Sequence, residues 1–446
     1  MKKTTTYLVL VCLYVLGSKT GFAQKKLDDY FDHLFKNKKF MGSVAVLHND
    51  SVFYAKSVGH LASDSKQLIN RNTKFRIGSI TKTFTAALVL KATEEQKLKL
   101  NEKLDLYYPT IENASKITVE QLLRHRSGIF NFTDGADARV WEQKFHTEPE
   151  LLDYLTKGKS VFEPGTEYQY SNSNYVLLSF ILQKIYKKTF AEILEEKICK
   201  PLGLKNTYYT FEVDTARNEA LSYNIQDTYV KNAAVNFSNH PGGGGMVSTA
   251  IDVNRFLFAL FNEKLISKQS LEMMLPLNKG EYGMGIIKMY TDSPAGYKHG
   301  GRVENYISDY WYFPKENLGV VTLSSAINID MDMINMALLR YAFGTQPSSP
   351  NFEAISGISV AEFAKIKGTY INTSKNNTVT ISSNGEHMVF QGSGIGQDYI
   401  DFEYTGNHTF KYEEIVLKFL PQKKEMHLKQ GDISEVYQMR NSYLAQ

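Results

Sequence analysis

The order in which strand-forming and helix-forming runs follow one another constrains the fold of this chain most tightly. Two β-prone runs, residues 44–47 and 52–55, flank the turn His48-Asn49-Asp50-Ser51 near the start, and two more, residues 310–313 and 320–324, come only much later. Between these pairs the pattern is helical. One helical stretch begins near Ser79 and includes Phe84, Ala87, Leu88 and Lys91, and others cover residues 175–186 and 252–262. A chain that opens and closes in strands, with helices between, is expected to form a mixed α/β unit whose two ends share one sheet.

Near residue 346 the character changes. Gln346-Pro347-Ser348-Ser349-Pro350-Asn351 reads as a linker. Short β-prone runs follow at 378–381, 388–390, 408–411, 415–420 and 426–428, separated by turn residues, and predict a small antiparallel β domain. The expected division is residues 1–23 as an export signal, 24–345 as the α/β domain, 346–361 as linker and 362–446 as the β domain. With 446 residues the chain can bury a large core without covalent staples.

The first 23 residues have the layout of a cleaved signal: Lys2 and Lys3, an apolar run over 7–16 too short to span a bilayer, then the small Gly21 and Ala23 before Gln24. Cys12 follows the bulky Val11, which does not suit lipoprotein processing. An exported bacterial protein, periplasmic or secreted, is the expectation, with no later segment able to cross a membrane. Cleavage removes three lysines and no acid, so the formal net charge of +4 falls to +1, too little to draw nucleic acid. Lys36, Lys38 and Lys39 read as solvated faces. The one remaining cysteine, Cys199, excludes an internal disulfide and is expected to pack at a helix end. No paired-cysteine or His-Glu-x-x-His spacing predicts a metal, no Lys-Ser/Thr follows the glycines 242–245 to hold a phosphate, and no cofactor is expected. The sequons at Asn236 and Asn407 read as incidental.

Three short segments carry chemistry. Ser79-Ile80-Thr81-Lys82 opens a helix, so its Ser and Lys share one face and a Lys of lowered pKa could take the hydroxyl proton. Taken alone, the same four residues also fit a helix cap and a solvated lysine. Tyr170-Ser171-Asn172 offers a phenol to share a proton and an amide to orient a lysine or a substrate, although a turn and N-cap would look alike. His299-Gly300-Gly301 lets a backbone approach a ligand closely, although a tight turn with a surface His is the plainer alternative.

In this order the segments resemble the serine β-lactamase and penicillin-binding superfamily. The likeness is nearest to its branch of class C β-lactamases, D-alanyl-D-alanine carboxypeptidases and esterases. Flanking text agrees over residues 27–340: Phe75-Arg76-Ile77-Gly78; Leu122-Leu123-Arg124-His125-Arg126-Ser127-Gly128, with Arg126 where Thr is usual; Phe162-Glu163-Pro164-Gly165; Gly243-Gly244-Gly245-Met246-Val247-Ser248-Thr249 with Asp252; and Tyr282-Gly283-Met284-Gly285. The resemblance implies a β-lactamase/transpeptidase-like α/β fold, an antiparallel sheet flanked by helices beside an all-helical region, with a small barrel-like β domain appended at the C-terminus. It implies Ser79 as nucleophile, Lys82 and Tyr170 as the proton-handling pair, and Asn172, His299, Gly300, Gly301 and Arg302 as substrate-binding. Backbone N–H groups of Ser79 and Arg302 would form the oxyanion hole. The implied activity is a serine hydrolase that cleaves an ester or amide (a small ester, a D-amino-acid peptide or a β-lactam) through an acyl-enzyme. Two departures point away from true β-lactamases: His299 stands where they carry Lys, and Asn305 where Gly is common. The competing class is a penicillin-binding-like protein that holds cell-wall peptides or a partner without turnover. A third reading makes the C-terminal β domain a docking module. The expected partners are a small-molecule or peptide substrate and, by association, the cell wall.

Overall fold

The structure is a computed structural model. It describes residues 24–440 apart from 135–137, 226–227, 232, 293, 373, 376, 386 and 393–398, so the expected export signal lies outside the described residues. The chain divides into two compact units, one of residues 41–222 and 232–325, the other of residues up to 40, 223–231 and from 326 onward.

The two ends of the α/β region do share a sheet. Its strands are β1 (Phe40–His48), β2 (Ser51–Val58), β3 (Ile287–Asp292), β4 (Ala295–Val303), β5 (Tyr306–Phe313) and β6 (Leu318–Ile327), in the order β2-β1-β6-β5-β4-β3. β1 and β2 pair antiparallel across a two-residue turn in which Asn49 and Asp50 both have positive φ, the geometry that matches strand twist. β3 to β6 form an antiparallel meander.

Three helices carry the first unit's core: α1 (Thr81–Glu94), α2 (Asn172–Tyr186) and α3 (Ala250–Phe261). α1 is buried nearly all round, which marks it as a central helix rather than an amphipathic surface one. Phe84 of α1 stacks on Phe256 of α3 with ring centroids 3.6 Å apart. α3 in turn sits tightly on the sheet: Asn254 donates to the Ala45 carbonyl at 3.0 Å, and a Cβ on Gly319 would lie 2.0 Å from Asn254 Oδ1. Cys199 is buried, and burial pushes its thiol pKa up, away from nucleophilic use.

In the second unit the C-terminal strands close into an eight-stranded antiparallel barrel: β7 (Gly368–Asn372), β8 (Asn377–Ser383), β9 (Met388–Gly392), β10 (Tyr399–Gly406), β11 (Thr409–Tyr412), β12 (Ile415–Leu420), β13 (Glu425–Gln430) and β14 (Ile433–Met439). Tyr370, Ile381, Met388, Phe402, Phe410, Leu417 and Met426 fill its core. Sequence patterning marks five of these strands. β7 is bounded by Gly368 and Asn372, which read as turn residues, while β10 and β14 interleave Asp401, Glu403, Glu435 and Gln438 with their apolar residues. Within 346–361, Phe352 is buried and Ile355 joins the barrel core. Lys39 departs from its solvated reading. It is 5% exposed, its ammonium lies 5.0 Å from the centre of the Phe352 ring, and burial pushes its pKa down to about 8. Among the described residues no helix is long and apolar enough to cross a membrane.

Candidate active site

The site is built where the start of α1 meets β4. Phe75 and Arg76 pair with Val247 and Ser248, which brings the glycine-rich loop alongside the approach to α1. Gly78, at φ 49°, then turns the chain through one 3-10 turn into the helix. No larger residue fits there, because a Cβ on Gly78 would stand 2.7 Å from the Arg302 backbone nitrogen. A Cβ on Gly301 would stand 2.1 Å from the Ile77 oxygen and 2.9 Å from the Ser79 nitrogen. Ser308 Oγ donates to the same Ile77 carbonyl at 2.8 Å. The turn carrying the Ser79 amide is thereby pressed against Gly301-Arg302, beside the Arg302 amide with which it is expected to hold an oxyanion.

Ser79 does not cap the helix, and Lys82 is not solvated. Ser79 Oγ lies 3.0 Å from Lys82 Nζ and accepts a hydrogen bond from Tyr170 OH at 2.8 Å. Lys82 is wholly buried. Its other partners are Asn172 Oδ1 at 2.8 Å and the Gly243 carbonyl at 2.6 Å, neither of them a carboxylate. Burial among neutral partners drives its pKa down to about 7. Asn172 is itself oriented: its Nδ2 donates to Thr133 Oγ1 at 3.0 Å, which leaves Oδ1 for Lys82. Tyr170 moves the other way. Burial raises its pKa, offset in part by the bond to Ser79, so it stays a phenol at neutral pH.

Nor is Tyr170-Ser171-Asn172 an ordinary cap. Ser171 occupies the N-cap of α2 but makes no capping bond, and its hydroxyl donates to the Phe130 carbonyl instead. His299 is likewise no surface turn. It lies in β4 opposite Tyr310, 3% exposed. Its Nδ1 bonds the Gly300 carbonyl at 2.6 Å, so its Nε2 is the acceptor for Tyr282 OH at 3.1 Å. Burial, and after it Lys82 and Lys298, pushes His299 down to about 3 against the Gly300 bond, so the ring is neutral at working pH. Arg126, which replaces the usual Thr, donates to the Gly165 carbonyl at 2.6 Å and braces the turn before Tyr170.

Four groups here had no role in the sequence reading: the Gly243 carbonyl, Thr133, Tyr282 and His125. Gly243, Tyr282 and His125 lie in recognisable motifs, which could have flagged them. Thr133 has no signal in spacing or composition.

An antiparallel sheet with a helix start abutting its β4 strand, and a Ser-Lys-Tyr cluster at that junction, define the serine-hydrolase fold of the β-lactamase and penicillin-binding type. The family model described as Beta-lactamase matches residues 27–339, and the chain belongs to that family. It is 26% identical over 323 residues to protein flp of Staphylococcus aureus strain MW2, covering 69% of this chain and 64% of that one. The match thus spans less than two thirds of that relative's length. Among solved structures, the octameric penicillin-binding protein homologue from Pyrococcus abyssi superposes with a TM-score of 0.64 at 22% identity, covering 92% of this chain and 99% of that chain. The D-amino acid amidase from Ochrobactrum anthropi SV3 superposes with a TM-score of 0.60 at 24% identity, covering 69% and 91%. At these identities the structural likeness speaks for the fold alone.

Proposed function

We propose that the protein is an exported serine hydrolase that cleaves an ester or amide through an acyl-enzyme on Ser79, with Lys82 as the first base. The observation that carries this reading is the set of neighbours around Lys82 Nζ. A neutral amine has two N–H groups and one lone pair. Two of its three neighbours, Asn172 Oδ1 and the Gly243 carbonyl, can only accept. The two N–H groups are therefore spoken for, and the lone pair faces Ser79 Oγ, the one neighbour with a proton to give.

The reaction then runs as follows. Ser79 Oγ bonds the substrate carbonyl carbon while its proton passes to Lys82. The oxyanion is held by the Ser79 and Arg302 amides. Tyr170 gives its proton to the leaving group as the bond to it breaks, and regains one from Lys82. Water returns the enzyme by the reverse transfers. Asn172 holds Lys82 in place. The charge state of Lys82 sets a pH limb. Its pKa is lowered, so the active, neutral form predominates above about pH 7 and is lost below it. The ratio kcat/KM for an uncharged ester should fall about tenfold per pH unit under that limb, read from initial rates across pH 5–9. A profile flat across that interval contradicts Lys82 as base.

The buried, neutral His299 supports a substrate without a free carboxylate: a small ester, or an amide whose carboxyl is capped, as in the amino-acid amide named with the Ochrobactrum amidase. A charged hydrogen bond to a carboxylate is worth about 1.5–3 kcal/mol, roughly tenfold to a hundredfold in binding, and a neutral ring does not supply it. A p-nitrophenyl ester should be hydrolysed well and a chromogenic cephalosporin poorly, and His299→Lys should raise cephalosporin turnover by about tenfold. Efficient cephalosporin hydrolysis by the wild type, with no gain in the Lys variant, would overturn this and make Arg302 the carboxylate anchor. Export rests on the layout of residues 1–23, and the C-terminal barrel is proposed as an appended domain that chemistry does not require.

A further inference from the structure

We propose that His125 is a positioning residue for Tyr170, holding the phenol over Ser79 by gripping the backbone amides of the residues on both sides of it. The proposal rests on the reading of Tyr170 as a proton-handling group. His125 follows the short helix Val119–Leu123, whose Thr118–Gln121 capping box fixes its start. It takes φ 56°, a left-handed conformation uncommon for a residue with a side chain, and is completely buried. Its carbonyl accepts from the Gln169 amide at 3.0 Å, and its Nδ1 accepts from the Ser171 amide at 3.2 Å. One residue therefore holds both neighbours of Tyr170, and the left-handed turn is what aims its carbonyl and its ring at the same strand of chain.

The ring is held in its turn. Asn174 Oδ1 accepts from Ser127 Oγ at 2.6 Å, so its Nδ2 is the group 3.2 Å from His125 Nδ1. With two donors on Nδ1, the ring proton sits on Nε2, a buried atom with no hydrogen-bond partner among the described residues. The imidazole instead lies among aromatic rings, 4.3 Å from Tyr170, 4.7 Å from Tyr282 and 5.2 Å from Tyr175 between centroids. Burial, with Lys82 and His299 nearby, keeps it from protonating, and protonation at Nδ1 would turn the acceptor for Ser171 into a competing donor. His125 touches no reacting atom. It acts through the placement of Tyr170, where a displacement of about 1 Å costs on the order of a hundredfold in rate.

Two variants separate the acceptor from the packing. His125→Phe keeps a ring and removes the acceptor. His125→Asn places an oxygen near the Nδ1 position and loses the ring. The Phe variant should lose about a hundredfold in kcat with KM changed less than about threefold, and the Asn variant should recover most of that loss. In a Tyr170→Phe background His125→Phe should cost nothing further. Equal losses in both variants, or a His125→Phe loss that adds in full to that of Tyr170→Phe, overturns the proposal. A Tyr170→Phe enzyme of wild-type activity would instead sink the role of Tyr170 itself, which keeps the two failures apart. If the variants do not fold, imidazole nitrogen shifts of the wild type decide. An unprotonated Nδ1 from pH 5 to 9 is required, and protonation of that nitrogen within the range overturns the proposal.

Discussion

Ser79→Ala is expected to lower kcat on a p-nitrophenyl ester by about a million-fold, the loss typical when a serine nucleophile is removed, while the protein still folds. The size follows from the chemistry: without Oγ there is nothing to acylate, and Lys82 and Tyr170 have no proton to exchange. Stability should hold because little else depends on that oxygen. Lys82 keeps Asn172 and the Gly243 carbonyl and loses only its bond to Ser79 Oγ, and the Tyr170 hydroxyl loses its one bond to the same atom, at a cost of about 1 kcal/mol each. The melting temperature should move by no more than about 5 °C. Turnover near the wild-type rate by a folded Ser79→Ala protein is incompatible with the assignment.

The second large effect concerns Lys82 and Tyr170 together. Both contact Ser79 Oγ, and the Lys82 ammonium position lies 4.9 Å from the centre of the Tyr170 ring. A proton accepted by one must be returned through the other, so removing either stops the same cycle. Lys82→Met, chosen to fill the buried site without a cavity, and Tyr170→Phe should each lose on the order of 10⁴-fold or more, and the double variant about as much as either single one. Losses that multiply would show two independent contributions. Kinetics of the four proteins on one ester, with melting curves to exclude unfolding, make the comparison.

The parts of this site that were legible in the sequence are those whose geometry is local. Ser79 and Lys82 are three residues apart on a helix, so spacing alone puts them on one face. The shared sheet was legible too, since the hairpin turn at Asn49-Asp50 and the late β-prone runs are strong local signals. Groups that act through backbone atoms or through long-range contact were not. The Gly243 carbonyl looks like any other peptide oxygen in a sequence, yet it takes one of the two N–H groups of Lys82. Thr133 reaches Asn172 only because the folded chain brings its loop to the start of α2. Burial was the other blind spot. Lys39 and His299 are polar residues that a sequence places at the surface by default, and only packing reveals one held near Phe352 and the other covered by Tyr282. That burial is what makes His299 a hydrogen-bonding ring rather than a cation.

The central claim is a covalent bond between substrate and Ser79, and it can be observed directly. The protein is mixed with excess p-nitrophenyl ester, quenched in acid during steady-state turnover, digested and analysed by mass spectrometry. One peptide, the one containing Ser79, should be heavier by the acyl group in the wild type and unmodified in Ser79→Ala. An acyl group on another residue that persists in the Ser79→Ala protein, or turnover that continues with Ser79 blocked, would contradict it.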